Sequence, residues 1–357
     1  MSVGKIMFPK VSIIILNWNG WKDTIECLES LYQIDYPNYD VIVVDNASKN
    51  ESIEKIKEYA KGEIEVKSKF FIFNPDNKPK KVIEYTTDGL ESKNENLEKY
   101  ENLDSDRKLI IIKNDENYGF AEGNNIAIRY ALKTLKPGYV LLLNNDTVVD
   151  NYFVKELVTI GERDKSIGII GPKIYYYDRD GKNNVIWFAG GKIGKWSGKT
   201  YHLGRDKEDK DIYDEIKECE YLTGCAILLR RNLVEQLKGF DSSYFAYYED
   251  VDLSVRATRR GWKNVYVPTS KVWHKVSKST TKRGKKFSPT TIYYITRNKI
   301  LFMKKHKSKF RYILFIIYFI TYRNAQMFMY LLLIEKDTTL LKKFYQGMIA
   351  SKPFNKS

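Results

Sequence analysis

Short apolar runs alternate with stretches of helical periodicity along the first part of this chain. Residues 11–16 (VSIIIL) and 40–44 (DVIVV) are rich in β-branched residues and predict buried strands. Residues 21–33 between them carry apolar side chains at helical spacing, which predicts a βαβ unit. Ser48 and Glu51 then form a capping-box pattern that predicts the start of a second helix.

The alternation continues after a polar interruption. Residues 108–113 and 139–143 predict further strands, with a helix over 119–135 between them. Strands that alternate with helices predict a parallel sheet with right-handed crossovers. Residues 61–107 are dense in Lys, Glu, Asn and Asp apart from an apolar island at 70–73. We therefore predict an insertion there, a surface hairpin or a partly disordered loop without chemistry.

The second half has a different texture. Residues 166–230 mix short strands with Gly and aromatic turns, which predicts a mixed sheet. Residues 221–229 predict a buried strand, residues 231–237 and 249–260 predict helices, and residues 264–267 predict another strand. The α/β body is therefore expected to combine a mostly parallel sheet with a mixed half.

The chain from Ser288 onward is expected to be helical. Residues 312–322 and 327–334 are strongly apolar, but residues 323–326 (RNAQ) interrupt them. Neither run reaches the roughly 20 residues that span a bilayer. Two interpretations stay open: an interfacial or re-entrant helical pair whose Lys and Arg side chains reach the headgroups, or a helical hairpin packed on the body.

The positive charge is concentrated at the C-terminal end. Residues 271–357 hold 20 Lys and Arg but two Asp and Glu, so their net charge of +18 exceeds the +15 of the whole chain. A patch this one-sided favours a polyanionic partner, either nucleic acid or an anionic membrane surface. The neighbouring aromatic and aliphatic residues favour the membrane.

The cysteines and the N-terminus bear on location. Cys27, Cys219 and Cys225 have no CxxC spacing, and a reducing cytoplasm suits them. The first ten residues (MSVGKIMFPK) lack the apolar core of a signal peptide. We expect a cytoplasmic protein, peripheral to the inner face of the cell membrane.

Polar side chains follow the apolar run at residues 140–143. Asn144, Asn145 and Asp146 come directly after it, at the end of a parallel strand where open α/β sheets bind ligands. A plain turn explains the three residues equally well when they are taken alone, because Asn and Asp bond their own backbone. The other strand ends decide between the two interpretations.

Two further strands end in the same way. Asn17 and Asn19 follow the first strand, and Asp45 follows the second, where its carboxylate can accept bonds from a nucleobase or a ribose. A Gly-bearing loop then opens the third helix, with backbone N–H groups expected to point outward. The candidate ligand-binding residues of this loop are Asn117, Gly119 and Asn124. Together these residues predict a nucleotide site.

The sequence also suggests a metal and a general base. Asp146 suits Mg²⁺ or Mn²⁺, which complete their shells with phosphate oxygens and water, and His274 is a second candidate ligand. A His satisfied by an ordinary hydrogen bond is the alternative. Glu249 and Asp250 lie in the first turn of a helix preceded by aromatic residues. Acids there cap the helix, but an ionised Asp beside a cleft also suits a general base.

An ordered set of motifs over residues 8–306, apart from the 61–107 insertion, resembles family 2 glycosyltransferases, particularly rhamnosyltransferase-like members with a GT-A (Rossmann-like) fold. The motifs are VSIIILNWNG, VIVVDNAS, NYGFAEGNN, LLLNNDT, YLTGCAILLRR, GFDSSYFAYYEDVDLSVRATRRGW and IYYITRNKILFMKKH. The resemblance implies a catalytic domain over 8–287 and a basic, membrane-associating helical segment over 288–357. The family's Asp-x-Asp motif stands here as Asn144-Asn145-Asp146, so only its last carboxylate remains.

The resemblance also implies roles and substrates. Asp146 and His274 would hold Mg²⁺ or Mn²⁺ on the donor diphosphate, and Asp250, with Glu249 beside it, would be the catalytic base. Asn144 and Asn145 would orient the nucleotide. The donor would be a dTDP- or UDP-sugar, with the hexose, such as rhamnose, transferred with inversion to a glycan or lipid-linked acceptor.

Two other functions remain as alternatives. A nucleotidyltransferase acting on sugar phosphates also uses a nucleotide crevice and Mg²⁺, but it needs a basic loop near the first strand, and residues 16–19 offer none. A nucleic-acid-binding protein would fit the basic composition. Its basic stripe should accompany stacking aromatics on one fold, whereas here the charge accompanies apolar helices.

Overall fold

The computed structural model describes residues 8–91, 100, 103–276 and 288–350. Strands and helices alternate in its first half: β1 Val11–Asn17, α1 Trp21–Leu31, β2 Tyr39–Asp45, α2 Ser52–Lys61, β3 Lys81–Thr86, β4 Lys108–Lys113, α3 Gly119–Tyr130 and β5 Tyr139–Asn144. Short 3₁₀ turns cover Thr87–Glu91 and Ser105–Arg107, and a π-helical turn, Ala131–Leu135, extends α3. The predicted strands and helices before and after the insertion are confirmed.

The second half contains shorter strands. They and their helices are β6 Thr147–Val149, α4 Phe153–Arg163, β7 Ile167–Tyr176, β8 Val185–Phe188, β9 Gly191–Ile193, β10 Thr200–His202, β11 Lys207–Glu208, β12 Lys217–Glu218, β13 Ala226–Arg230, α5 Arg231–Leu237, α6 Glu249–Arg259 and β14 Lys263–His274. The strand predicted over 221–229 begins only at Ala226. The strand predicted over 264–267 is part of the much longer β14.

One large sheet organises the described residues. Its strand order is β11-β8-β7-β13-β5-β1-β2-β4-β3, and β14 pairs with β7, β6 and β12. Strands β5, β1, β2, β4 and β3 are mutually parallel, whereas β13 and β8 run antiparallel to their neighbours. The prediction of a mostly parallel sheet with a mixed half is confirmed.

The register of the parallel strands aligns their carboxyl ends. Asn17 of β1 pairs with Asp45 of β2, and Leu16 pairs with Asn144 of β5. The middle of β1 is fully buried, as expected for a parallel sheet covered on both faces. The polar residues at the ends of these strands therefore meet at one edge of the sheet.

The interpretation of residues 61–107 as a surface hairpin or loop is wrong for part of that segment. β3 extends the main sheet by pairing in parallel with β4, and Ile83 and Tyr85 are buried. Lys78 also forms a buried ion pair of 2.7 Å with Glu29 of α1. The high density of charged residues concealed an edge strand with two inward-facing side chains.

The predicted capping box at Ser48 and Glu51 is also wrong. The Ser48 hydroxyl donates to Asp45 at 2.6 Å, and α2 begins only at Ser52. The backbone N–H of Ser52 donates instead to the Asn50 side chain at 3.2 Å. Ser48 is therefore used to hold the end of β2.

The C-terminal segment is helical, as predicted. It contains α7 Pro289–His306, α8 Lys309–Tyr318, a π-helical turn Phe319–Arg323, α9 Asn324–Met329, a π-helical turn Tyr330–Ile334 and α10 Thr338–Ile349. Residues 323–326, expected to interrupt two apolar runs, are themselves helical. The Ser288 side chain caps α7 by accepting from Thr291 N at 3.1 Å.

One face of residues 309–334 packs on the body and the other does not. The buried residues Phe315, Phe319, Met327 and Leu331 follow one another at multiples of four. The apolar outer face consists of exposed Phe310, Ile313, Ile317, Ile320, Leu333 and Ile334. Among the helices of the described residues, none combines the length and the apolar character needed to cross a membrane.

Candidate functional site

Asp146 and His274 lie side by side where two strands meet. Asp146 follows β5, and β6 immediately after it pairs antiparallel with β14, so that Thr147 lies opposite His274. The His274 Nε2 atom is 3.1 Å from Asp146 Oδ1, and both side chains are buried. Sheet topology thus joins two residues that are 128 positions apart in the chain.

The electrostatics of His274 depend on Asp146. Burial opposes a charged imidazole, but the Asp146 carboxylate and the neighbouring Cys225 thiol together raise the pKa of His274 well above its usual range. The other ring nitrogen of His274, Nδ1, is buried and has no hydrogen-bond partner among the described residues. The buried carboxylate favours a positive charge at this position, either a proton on the imidazole or a bound cation.

The donor atoms fit the expected cation. One carboxylate oxygen and one imidazole nitrogen 3.1 Å apart can contact the same ion, and Mn²⁺ accepts both kinds of ligand. Within the described ranges, no group of three or more His, Cys, Asp and Glu side chains is arranged to hold a metal. Asp146 and His274 would therefore hold a cation only together with substrate phosphate oxygens and water.

Glu249 and Asp250 form the first turn of α6. Asp250 Oδ2 accepts from the Gly224 N–H at 2.9 Å, and Asp250 Oδ1 accepts from the Val251 N–H at 2.8 Å. Glu249 is buried, and its Oε2 atom has no hydrogen-bond partner within the part of the chain that the structure describes. Both oxygens of the Asp250 carboxylate are thus held by backbone donors.

The two carboxyl groups differ in their protonation. Burial, together with the charge of Asp250, raises the pKa of Glu249 well above its usual range. Burial also raises the pKa of Asp250, although the N–H bonds from Gly224 and Val251 oppose the shift. Two adjacent carboxyl groups at such a site do not ionise together easily, and the N–H bonds from Gly224 and Val251 favour the charge on Asp250 over Glu249.

A cavity of about 510 Å³ connects these groups. Of the expected site residues, Asn144, Glu249, Asp250 and His274 line it. Its wall is completed by the aromatic residues Phe120, Trp187, Tyr221, Tyr247 and Tyr248 and by the basic residues Lys199, Arg205 and Lys299. The candidate base and a candidate metal ligand therefore face the same space.

Asn17 and Asp45 are occupied by bonds to each other. Asn17 Nδ2 donates to Asp45 Oδ1 at 2.7 Å, and Ser48 N donates to Asp45 Oδ2 at 3.0 Å. Asn19 lies next to them, and its side chain accepts from the Lys49 N–H at 2.8 Å. These residues do not line the cavity; they join the loops that follow β1 and β2.

Asn46 was missed by sequence reasoning and is the centre of the next group. Its Nδ2 atom donates to Asn117 Oδ1 at 2.8 Å and to Gly119 O at 3.1 Å. Its Oδ1 atom accepts from Asn114 Nδ2 at 3.0 Å and from Tyr118 N at 3.1 Å. The only signal in the sequence was an Asn directly after Asp45, and an Asn in an ordinary turn gives the same pattern.

The start of α3 is closed by protein, so the expectation that its N–H groups point outward is wrong. Gly119 N donates to Asn117 Oδ1 at 2.9 Å, and Phe120 N donates to Phe245 O at 2.6 Å. Gly119 has φ +74°, and a Cβ atom there would lie 2.4 Å from Phe245 O. Asn124 is buried and donates to Phe120 O at 2.8 Å. The glycine thus allows the loop before Glu249 to approach α3.

Asn145 and Asn144 have different surroundings. Asn145 Nδ2 donates to Thr24 Oγ1 at 3.1 Å and lies 3.4 Å from Gly20 O, so this side chain holds the start of α1. The backbone N–H of Asn144 donates to Cys225 O at 2.8 Å, and its half-buried side chain lines the cavity. Of the two, Asn144 is the one available to a ligand.

The chain matches profiles of a known family in two places. The family described as "Glycosyltransferase like family 2" matches residues 98–288, and "Glycosyl transferase family 2" matches residues 12–81. The first match alone covers more than half of the chain.

Curated relatives include glycan-building enzymes. The low-salt glycan biosynthesis hexosyltransferase Agl10 of Haloferax volcanii is 25% identical over 193 residues, which are 52% of this chain and 57% of that protein. The N-acetylglucosaminyl-diphospho-decaprenol L-rhamnosyltransferase of Mycobacterium tuberculosis is 47% identical over 60 residues, 17% of this chain and 20% of that protein. Rhamnosyltransferase WbbL of Escherichia coli is 26% identical over 201 residues, 52% of this chain and 72% of that protein. The chain thus spans less than two thirds of the first two relatives.

Two solved structures share the fold at 15% identity. The mannosyltransferase PcManGT of Pyrobaculum calidifontis, in complex with GDP-Man and Mn²⁺, gives a TM-score of 0.52 with 97% of this chain and 77% of that chain covered. GalNAc-T7 with UDP, GalNAc and Mn²⁺ gives a TM-score of 0.57 with 97% and 57% covered. The expected GT-A fold is confirmed. With both profiles matched in order along this fold, the chain belongs to glycosyltransferase family 2.

Proposed function

We propose that this protein is a metal-dependent inverting glycosyltransferase that moves a sugar from a nucleoside diphosphate to an acceptor hydroxyl. One observation carries the proposal: His274, in contact with Asp146, lines the same cavity as Asp250. A diphosphate leaving group at Asp146 and His274 and an attacking hydroxyl at Asp250 would then meet in the same cavity.

Asp250 is the proposed catalytic base. Its carboxylate is oriented by the Gly224 and Val251 N–H groups, and its raised pKa strengthens it as a proton acceptor. It would take the acceptor proton as the hydroxyl oxygen attacks the anomeric carbon and the bond to the diphosphate breaks. Protonated Glu249 would keep the negative charge at Asp250. A single displacement of this kind inverts the anomeric configuration.

Asp146 and His274 are the proposed ligands of Mg²⁺ or Mn²⁺. The cation would neutralise charge on the departing diphosphate, so that no general-acid carboxyl is needed. The buried Asp146 carboxylate keeps His274 in place. Asn144, two residues before Asp146 in the chain, lines the cavity wall. Asn17, Asn19, Asp45, Asn117, Gly119 and Asn124 would shape the nucleotide end of the site through the loops that they join.

For the donor we propose a dTDP- or UDP-hexose, with rhamnose as the first sugar to test. For the acceptor we propose a glycan or a lipid-linked saccharide. The stretch that is 47% identical to a relative named as a diphospho-decaprenol L-rhamnosyltransferase supports both choices. A nucleic-acid partner is disfavoured, because the basic residues accompany apolar helices.

The C-terminal segment, proposed as 288–357 after a catalytic domain over 8–287, would hold the enzyme at the inner face of the cell membrane. The apolar outer face supports this proposal, because Ile317 and Ile320 are each more than half exposed. Residues 271–357, which include this segment, carry a net charge of +18 that complements anionic headgroups.

A panel of nucleotide sugars tests the function. Purified protein with Mn²⁺ or Mg²⁺ is incubated with each donor and with lipid-linked or oligosaccharide acceptors, and released nucleoside diphosphate and product configuration are measured. We expect transfer from at least one dTDP- or UDP-hexose with inversion. A product of retained configuration would contradict the single displacement.

Two neighbouring substitutions test the roles of the carboxyl groups. Asp250→Asn should lower kcat by about 10²–10⁴-fold without weakening donor binding, because it removes the proton acceptor. Glu249→Gln mimics a protonated Glu and should retain more transfer than Asp250→Asn. Near-normal turnover in Asp250→Asn would exclude this base.

A further inference from the structure

A cluster of cations without counterions lies beside the candidate base. Lys199 and Lys299 line the cavity that holds Asp250, and Lys299 also borders the small adjoining cavity lined by Arg323. Among the residues that the structure describes, no carboxylate forms an ion pair with any of these three cations, and Arg323 Nη1 donates only to the neutral Gln326 Oε1, at 2.6 Å. Unpaired cations at a cavity wall favour an anion in that cavity.

The surroundings of Lys299 show that the cluster is crowded. Burial, and then the positive charges of Arg323 and Lys199, lower the pKa of Lys299 to about 8. Gly198 packs against the same side chain, since a Cβ atom at Gly198 would lie 3.7 Å from Lys299 Cγ. Positive groups gathered on the walls of these two adjoining cavities would be stabilised by a bound polyanion.

The cluster is close to the base as well. The Tyr248 hydroxyl donates to Gly198 O at 2.8 Å, and Tyr248 directly precedes Glu249 and Asp250. The pKa of Tyr248 is raised by burial and by the charge of Asp250, while the charge of Arg323 opposes the shift. Tyr248 is therefore close enough to both Asp250 and Arg323 for their charges to act on its hydroxyl.

Two groups in a glycosyl transfer from a nucleotide sugar can carry phosphate: the donor and a lipid-linked acceptor. The donor diphosphate is expected at Asp146 and His274, which lie on the strands. Lys299 and Arg323 instead belong to the C-terminal helices, and Arg323 directly follows the part of the apolar outer face formed by Ile317 and Ile320. An acceptor carried by a lipid would reach the base from this side.

We propose that Lys199, Lys299 and Arg323 bind the phosphate groups of a lipid-linked acceptor and so hold its sugar hydroxyl at Asp250. This proposal rests on the proposed function for the role of Asp250, but the phosphate site itself can be tested without turnover. The acceptor class that follows is a saccharide joined to a lipid through a phosphate or diphosphate.

Binding of a sugar-free probe tests the site. Farnesyl diphosphate is titrated into the full-length protein by calorimetry, with farnesol as the phosphate-free comparison and UDP with Mn²⁺ as the donor comparison. Lys299→Gln and Arg323→Gln should each weaken farnesyl diphosphate binding by at least about tenfold, the loss expected for one charge-assisted hydrogen bond. Both should leave the affinity for UDP with Mn²⁺ unchanged.

Lys304→Gln is the matched control, since Lys304 is an exposed residue on the same helix outside both cavities, and it should change neither affinity. The thermal midpoint of Lys299→Gln should not fall, because the substitution removes a half-buried cation that has no ion-paired carboxylate among the described residues. Equal loss of UDP affinity would assign the cations to the donor and overturn the proposal, as would a wild-type protein that binds farnesol as well as farnesyl diphosphate. Phosphate-dependent binding through Lys299 without sugar transfer to any acceptor would support the site and contradict the proposed function.

Discussion

Asn298 of α7 holds the carbonyl of Tyr247, with Nδ2 donating to Tyr247 O at 2.8 Å and to Ala246 O at 2.7 Å. Tyr247 and Tyr248 have φ values of +70° and +74°, a region that costs about 1–3 kcal/mol for a non-Gly residue. The strained turn leads directly into Glu249. A fully buried amide from the C-terminal helix therefore fixes the backbone before the candidate base.

Asn298→Ala should lower kcat more than it raises the KM for the donor. Without the amide the turn can relax and move Asp250, and a displacement of about 1 Å can cost about 10²-fold in rate. Thr291→Val is the control, since the Thr291 hydroxyl contacts the side chains of Tyr247, at 3.0 Å, and Ser288, at 2.8 Å, rather than the Tyr247 carbonyl. Steady-state kinetics with the thermal midpoint of each variant check the prediction. A loss explained entirely by unfolding would contradict a positioning role.

Asp146→Ala should weaken metal-dependent binding of UDP by more than about tenfold, because one of two candidate protein ligands is lost. Titration of the wild-type protein with UDP in Mn²⁺ and in EDTA gives the size of the metal contribution. Asp180→Ala is the control, because the Asp180 side chain is 96% exposed. Equal affinity with Mn²⁺ and with EDTA would exclude the metal role of this pair.

Asp252 joins the helix of the candidate base to the C-terminal segment. Its fully buried carboxylate accepts from Arg256 Nε at 2.6 Å, from Lys305 Nζ at 2.7 Å and from His306 Nε2 at 2.7 Å. Although burial opposes ionisation, these donors lower the pKa of Asp252 far below its usual range. Burial lowers the pKa of His306, so a neutral imidazole that donates through Nε2 fits the contact.

Asp252→Asn should therefore destabilise the protein by about 3–5 kcal/mol, as expected when one partner of a buried charge network is removed. Because the folded-state pKa lies below the unfolded one, the stabilisation is complete above roughly pH 4 and is lost as the pH falls through the folded-state pKa. Urea unfolding from about pH 2 to pH 7 measures both effects. The acid-dependent part should be smaller in Asp252→Asn, and an identical pH dependence would contradict the network.

The strands and helices of the parallel half could be predicted because the local hydrophobic pattern is enough to indicate that each apolar run is buried. The edge strand β3 could not, since only Ile83 and Tyr85 of its six residues face inward. Asp146 and Asp250 were identified at strand and helix ends. Asn298 was not, because its role depends on a strained turn 50 positions earlier, and no local pattern records that contact.

Gly119→Ala should affect both stability and activity. The substitution forces φ +74° on a residue with a Cβ atom, which costs about 1–3 kcal/mol, and it pushes that atom toward Phe245 O. Gly181→Ala is the control for backbone strain, since Gly181 has φ +81° but nothing within 4 Å of the added atom. Both variants should lose stability, whereas only Gly119→Ala should lower kcat. Equal kcat values in the two would show that the Phe245 contact has no influence on the base.

Ile317→Glu should weaken binding to anionic vesicles by about tenfold or more, because burying one Ile side chain is worth about 1.5–3 kcal/mol. Ile72→Glu is the matched control: Ile72 is 87% exposed but belongs to the first half of the chain and not to the C-terminal helices. Sedimentation with phosphatidylglycerol vesicles, compared with neutral phosphatidylcholine vesicles, measures the change. Binding should also fall as salt rises, since about 1 kcal/mol per basic residue near the surface is electrostatic. If Ile72→Glu and Ile317→Glu bind equally well, the apolar outer face does not contact lipid, and a protein partner becomes the better explanation for its exposure.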